Sequence, residues 1–147
     1  MTPNHFNPDR FLAAQEEHWD AVRAELLAGR KTTHWIWFIF PQLAALGRSA
    51  TAKHYGLSGL DEATQYLAHP LLGPRLREAC RMLLALPTRD PAEVLGQVDA
   101  MKLRSCLTLF AVAAPREQVF AECLDRFYGG QPDSMTLQNL PPQPRVD

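Results

Sequence analysis

The sequence predicts an all-α protein, and three observations carry that prediction. Apolar residues in the longer segments recur at three- and four-residue intervals, as one face of a helix requires. Segment starts pair a capping side chain with proline, at Asn7-Pro8 and Asp90-Pro91, and segment ends fall on glycine, at Gly29 and Gly129-Gly130. No clear apolar–polar alternation supplies partner strands. The expectation is a single domain over residues 7–140, of about eight helices with short loops, and loosely ordered tails at 1–6 and 141–147.

The first helix should start at Asn7-Pro8-Asp9, run to about Ala28 and stop at Gly29. Phe11, Leu12, Trp19, Val22 and Leu26 share one of its faces, with Gln15 in their midst. A buried amide needs partners, so Gln15 either ties down a neighbouring loop or points into a pocket. The run Trp35-Ile36-Trp37-Phe38-Ile39-Phe40 is uninterrupted by polar residues and reads as a short, fully buried helix ended by Pro41. Leu46-Gly47-Arg48-Ser49 is a turn, and Ala50–Tyr55 a helical fragment closed by Gly56.

Ser58-Gly59-Leu60-Asp61 reads as a cap with a carboxylate three residues on, opening a helix to Ala68. Another runs from near Gly73 to about Leu86, with Arg75, Arg77, Glu78 and Arg81 as a solvated face. Asp90-Pro91 starts a short helix, and Asp99 caps the next, Ala100–Ala113. Pro115 begins the last long helix and Pro132-Asp133-Ser134 a final short one.

Composition narrows the function classes. The 147 residues are 46% hydrophobic, enough for one core. The formal charge of −1 disfavours bulk nucleic acid or an anionic membrane as partner. No apolar run approaches the ~18 residues of a membrane span, and no signal peptide is expected at the N-terminus. Cys80, Cys106 and Cys123 are odd in number and widely spaced, which suits reduced thiols in a cytoplasmic protein. No metal site or cofactor is expected, since His54 and His69 lack ligands at metal spacing.

Chemistry-bearing residues gather at three places. Lys102, Arg104, Ser105 and Thr108 lie on one side of the predicted helix Ala100–Ala113, a set that suits an anionic oxygen or simply a solvated face. Gly47-Arg48-Ser49 offers a second anion contact, or a helix-starting turn with Ser49 as its cap. His34 abuts the aromatic run and titrates near neutrality, as a proton carrier or a structural residue.

Several stretches recur together in one family: His34-Trp35-Ile36-Trp37-Phe38-Ile39-Phe40-Pro41-Gln42, Leu46-Gly47-Arg48-Ser49, Tyr66 to Leu76, and Lys102-Leu103-Arg104-Ser105-Cys106-Leu107-Thr108-Leu109-Phe110. By these the chain resembles the bacterial family called domain of unknown function 1810. The resemblance implies a mainly helical fold and brings no activity. Members are sometimes labelled calpastatin, a disordered inhibitor that this globular composition does not match. The order of the first helix, a later Met-started helix and a glycine-ended last helix is also similar to NADAR domains, helical proteins that cleave N-glycosidic bonds in ADP-ribose-like compounds. That family has a glutamate near the helix start where this chain has Asp9.

The functional expectation is a pocket for a nucleotide-like or phosphorylated small molecule, with N-glycosidic hydrolysis as its possible chemistry. Trp35 and Trp37 would floor it, with Gln15 reaching in; Gln42, Arg48, Ser49, Lys102, Arg104 and Ser105 would edge it. Any proton transfer falls to His34, with Asp9 as the carboxylate. The competing expectation is a non-catalytic module that binds a protein partner through an exposed apolar patch.

Overall fold

The computed structural model describes residues 6–141, and in them nine α-helices and one 3-10 turn follow in the order read from the sequence, with no strand. The tails expected at 1–6 and 141–147 lie outside the described residues except for Phe6 and Pro141. Phe6 is not loose: its ring lies 5.9 Å from Phe11 and 6.0 Å from Tyr66.

Helix α1 (Asp9–Ala28) starts where the Asx–Pro signal puts it. The Asn7 side chain accepts the Asp9 N–H at 3.0 Å, and the Pro8 carbonyl takes those of Phe11 and Leu12. Gly29, at φ 74°, ends it in the left-handed conformation that only glycine adopts without strain. Phe11, Val22 and Leu26 are fully buried on the predicted face.

Helix α2 (Ile36–Ile39) is a single turn whose neighbours Trp35 and Phe40 share its burial. It is not buried all round, because Trp37 packs at the edge of the core and is only partly buried. A 3-10 turn (Ala44–Leu46) follows, then α3 (Ala50–His54), with the Ser49 hydroxyl accepting the Ala52 N–H at 3.1 Å. One parallel bridge ties this region together: Ala44 donates to the Leu57 carbonyl at 2.8 Å, and Leu57 to that of Gln42 at 2.9 Å.

At the start of α4 (Leu60–Ala68), Glu62 rather than Asp61 reaches back, accepting the Ser58 N–H at 2.8 Å. Helix α5 (Leu72–Leu84) is opened by His69, whose Nδ1 accepts the Leu71 and Leu72 N–H groups. Its polar face is less solvated than expected. Arg77 grips Glu117 with two hydrogen bonds, at 2.6 and 3.0 Å, which raises the guanidinium pKa and lowers that of the carboxyl. Arg75 lies over Trp19.

Helix α6 (Pro91–Leu95) is capped by Asp90 as predicted. Helix α7 (Gln97–Ala113) starts before Asp99, so Asp99 lies in the first turn and is not the cap. Helix α8 (Gln118–Tyr128) starts later than Pro115, because Glu117 occupies the N-cap position while its side chain turns to Arg77. Asp133 caps α9 (Ser134–Gln138).

Helix α7 is the centre of the molecule, packed against α4, α6, α8 and α9, while α5 lies against α1, α4 and α8. One apolar cluster runs through α1, α4, α5, α6, α7 and α8 and reaches Leu140 beyond α9. Cys80, Cys106 and Cys123 are buried within it as free thiols. No helix among the described residues is long and apolar enough to cross a membrane.

Candidate functional site

Helix α1 holds the aromatic run in place through two buried polar side chains, Gln15 and Glu25. Gln15 is 1% exposed. Its amide donates to the Phe38 carbonyl at 2.7 Å and to the Tyr66 hydroxyl at 3.1 Å, and its oxygen accepts from Arg75 at 3.3 Å. Of the two roles open to Gln15, the structure shows the tie, so it does not reach into a pocket. Trp35 is likewise buried and floors nothing; its indole N–H donates to Glu25 at 3.0 Å. Glu25 also accepts from the backbone N–H groups of Thr32 and Thr33, at 2.6 and 2.9 Å, and from the Thr33 hydroxyl at 2.6 Å. Burial alone would raise this carboxyl. The Thr33 hydroxyl, the two amides and the indole overcome that and hold it at a pKa of about 2.

With Trp35 turned in, Trp37 turns out, and around it lies a cleft of about 670 Å³. Three stretches of chain form its walls. The segment after α2 gives Gln42, Leu46, Arg48 and Ser49, with Ala52 of α3. Helix α7 gives Val98, Met101, Lys102 and Ser105, whose three- and four-residue spacing puts them on one stripe. The end of the described chain gives Asp133, Met135 and Asn139.

Of the residues singled out in the sequence, the cleft therefore brings together Trp37, Gln42, Arg48, Ser49, Lys102 and Ser105. It does not include Arg104, which stands about 100° around α7 from Ser105. There its Nε donates to the Gln131 carbonyl at 2.9 Å and its guanidinium lies over Tyr128. His34 is exposed on the loop before α2, and Asp9 is exposed in the first turn of α1; neither lines the cleft. The proposed acid–base pair thus has no place at this site.

The charged groups of the cleft are connected. The Lys102 ammonium lies 4.8 Å from the Trp37 ring centroid and 3.4 Å from Asp99. Asp99 also pairs, at 2.8 Å, with the buried ammonium of Lys31, which lies 5.2 Å from the Trp35 ring. One carboxylate thus serves two lysines, each set over one of the two tryptophans. The Trp37 indole N–H is buried and has no acceptor among the described residues.

Asp133 is occupied structurally. One of its oxygens accepts from the Thr136 N–H and hydroxyl, at 2.9 and 2.5 Å, and from the Ser105 hydroxyl at 3.2 Å. Its own N–H donates to Thr108 at 2.8 Å. This network fastens α9 to α7 and explains why Ser105 and Thr108 are buried rather than solvated. Arg48 and Gln42, in contrast, have side chains without a protein partner among the described residues. No group of three His, Cys, Asp or Glu side chains among the described residues is placed to hold a metal ion.

Sequence reasoning missed Val98, Met135, Asp133 and Asn139 as cleft residues. The available signal was that Val98 and Met101 extend the Lys102–Ser105 stripe by one turn. Glu25 was also missed, though it stands on the apolar stripe between Val22 and Leu26.

The profile of the family described as protein of unknown function (DUF1810) matches residues 5–140. The crystal structure of the conserved hypothetical protein Rv1873 from Mycobacterium tuberculosis is similar, with a TM-score of 0.90 and 45% identity, over 92% of this chain and 96% of that one. No curated protein matches the sequence. None of these findings supports the NADAR similarity.

Proposed function

The chain belongs to the DUF1810 family, and we propose that it binds a small anionic, nucleotide-like or phosphorylated ligand in the cleft beside Trp37. One observation carries this reading: Arg48 and Lys102, from segments far apart in sequence, line one concavity with the Ser49 hydroxyl and the Gln42 amide. Its volume falls in the range of about 300–1,000 Å³ typical of small-molecule sites. The reading is of binding rather than hydrolysis, because His34 and Asp9 lie elsewhere and Asp133 is held by Ser105 and Thr136. Three buried, unpaired thiols suit a reducing, cytoplasmic setting.

The rival reading, a protein-docking module, draws on the exposed apolar side chains Val98, Met101 and Met135. These three line the same cleft as the cations, so the small-ligand reading accounts for both kinds of group.

A thermal-shift panel of nucleotides, ADP-ribose and sugar phosphates tests the proposal. A ligand at ~10 times its Kd stabilises by about 1.4 kcal/mol, roughly 4 °C in a protein of this size. Arg48→Ala should abolish the shift while leaving the ligand-free Tm nearly unchanged, since Arg48 is exposed and unpaired. No shift with any member of the panel would count decisively against the reading.

A further inference from the structure

We infer that the ligand of this cleft is an amphipathic organic anion: a single phosphate or carboxylate head held by Arg48 and Lys102, and an apolar body lying against Val98, Met101 and Met135. The inference rests on the binding reading above and names the class of ligand.

The head follows from which polar groups are free to act. Asp133 Oδ2 is already shared by Ser105 and Thr136, and the Asn139 amide donates to the Met135 carbonyl at 2.8 Å. Asp99 is shared by two lysines. What remains uncommitted is rich in donors: the Arg48 guanidinium, the Gln42 amide, and the Ser49 hydroxyl proton, since the Ser49 oxygen accepts from Ala52. Two cations and the donors of Gln42 and Ser49 outweigh the one carboxylate oxygen left without a partner, Asp133 Oδ1, and favour an anion. The charge on Lys102 is partly offset by Asp99, so the local excess suits one head group and not a triphosphate of about −4.

The body follows from the exposed apolar groups. Val98 is 66% exposed, Met101 72% and Met135 53%, and all three open into the cleft from two helices. A small polar anion would leave them in water; an aryl or branched aliphatic body covers them. Methionine thioethers adapt to ring edges and irregular shapes, which suits a flat body. Trp37 is not the chief stacking surface, because the Lys102 ammonium already lies over its ring.

Calorimetric titration of the whole chain with a matched set tests this: inorganic phosphate, glycerol phosphate, phenyl phosphate, phenylacetate and neutral benzyl alcohol. Phenyl phosphate should bind at least about tenfold more tightly than glycerol phosphate, the ratio expected from burying ring surface. Met101→Gln and Met135→Gln, both at exposed positions, should remove most of that preference, bringing the ratio of phenyl phosphate to glycerol phosphate affinity close to one. Phenylacetate and phenyl phosphate share the body, and the tighter of the two identifies the head. Equal affinity for glycerol phosphate and phenyl phosphate would overturn the ligand class and leave the anion site standing. Benzyl alcohol binding as tightly as phenyl phosphate would overturn the anionic head. Failure of every phosphate and carboxylate to bind would overturn the binding reading itself.

Discussion

Glu25→Ala should destabilise the protein by about 3–5 kcal/mol, because it strips a buried acceptor from four donors at once. The Trp35 indole, the Thr32 and Thr33 amides and the Thr33 hydroxyl all point at this one carboxylate. With alanine there, the indole N–H is left buried without an acceptor, and the link from the end of α1 to the aromatic run is lost. Denaturant unfolding at neutral pH measures the effect. The same residue governs acid stability. Its folded pKa of about 2 lies below the ordinary carboxylate value of 4.5, so its contribution is complete above about pH 5 and lost as pH falls towards 2. The separation of the two values corresponds to about 3 kcal/mol. Wild-type stability should therefore decline across that interval, and Glu25→Gln should show a shallower decline from a lower starting point. Equal slopes for the two proteins between pH 5 and 2 would refute this assignment.

Gly56→Ala should cost about 3 kcal/mol or more and also disable the cleft. A Cβ at position 56 would sit 2.3 Å from the Ala44 Cα and 2.6 Å from its Cβ, so the backbone itself must move. The movement breaks the bridge in which Ala44 donates to Leu57 and Leu57 to Gln42, and it displaces the segment carrying Gln42, Leu46 and Arg48. Gly59→Ala is the control, since nothing lies within 4 Å of the added atom. Thermal unfolding compares the two, and ligand titration of whatever folded Gly56→Ala remains reads the cleft. A Gly56→Ala protein as stable as Gly59→Ala would refute the packing argument.

Local chemistry made much of the fold legible. Asp90-Pro91 and Gly29 act on backbone groups a few residues away at most, so their effect does not depend on distant neighbours. Asp99 and Pro115 misled because their fates are tertiary: Asp99 is drawn to Lys31, and the turn after Pro115 leaves Glu117 free to meet Arg77. The same division holds at the cleft. Gln42, Arg48, Ser49 and Lys102 could be singled out because they are polar groups beside an aromatic run. Which tryptophan of that run faces outward could not, since a four-residue helix has no periodicity to fix its orientation; Glu25 decides it by taking the Trp35 indole. Gln15 and Arg104 have the right chemistry on the wrong azimuth. Val98 and Met135 stay hidden in a sequence because an apolar residue bound for a rim reads the same as one bound for the core.

Asp99 has a consequence that extends past the cleft. It divides its charge between Lys102, which lines the cleft, and Lys31, inside the protein. An anion that draws Lys102 towards itself leaves the whole of that carboxylate to Lys31, and Lys31 sits over Trp35. Occupancy would thus register in the emission of two fluorophores, one beside the guest and one walled off from it, relayed by a single shared counter-ion.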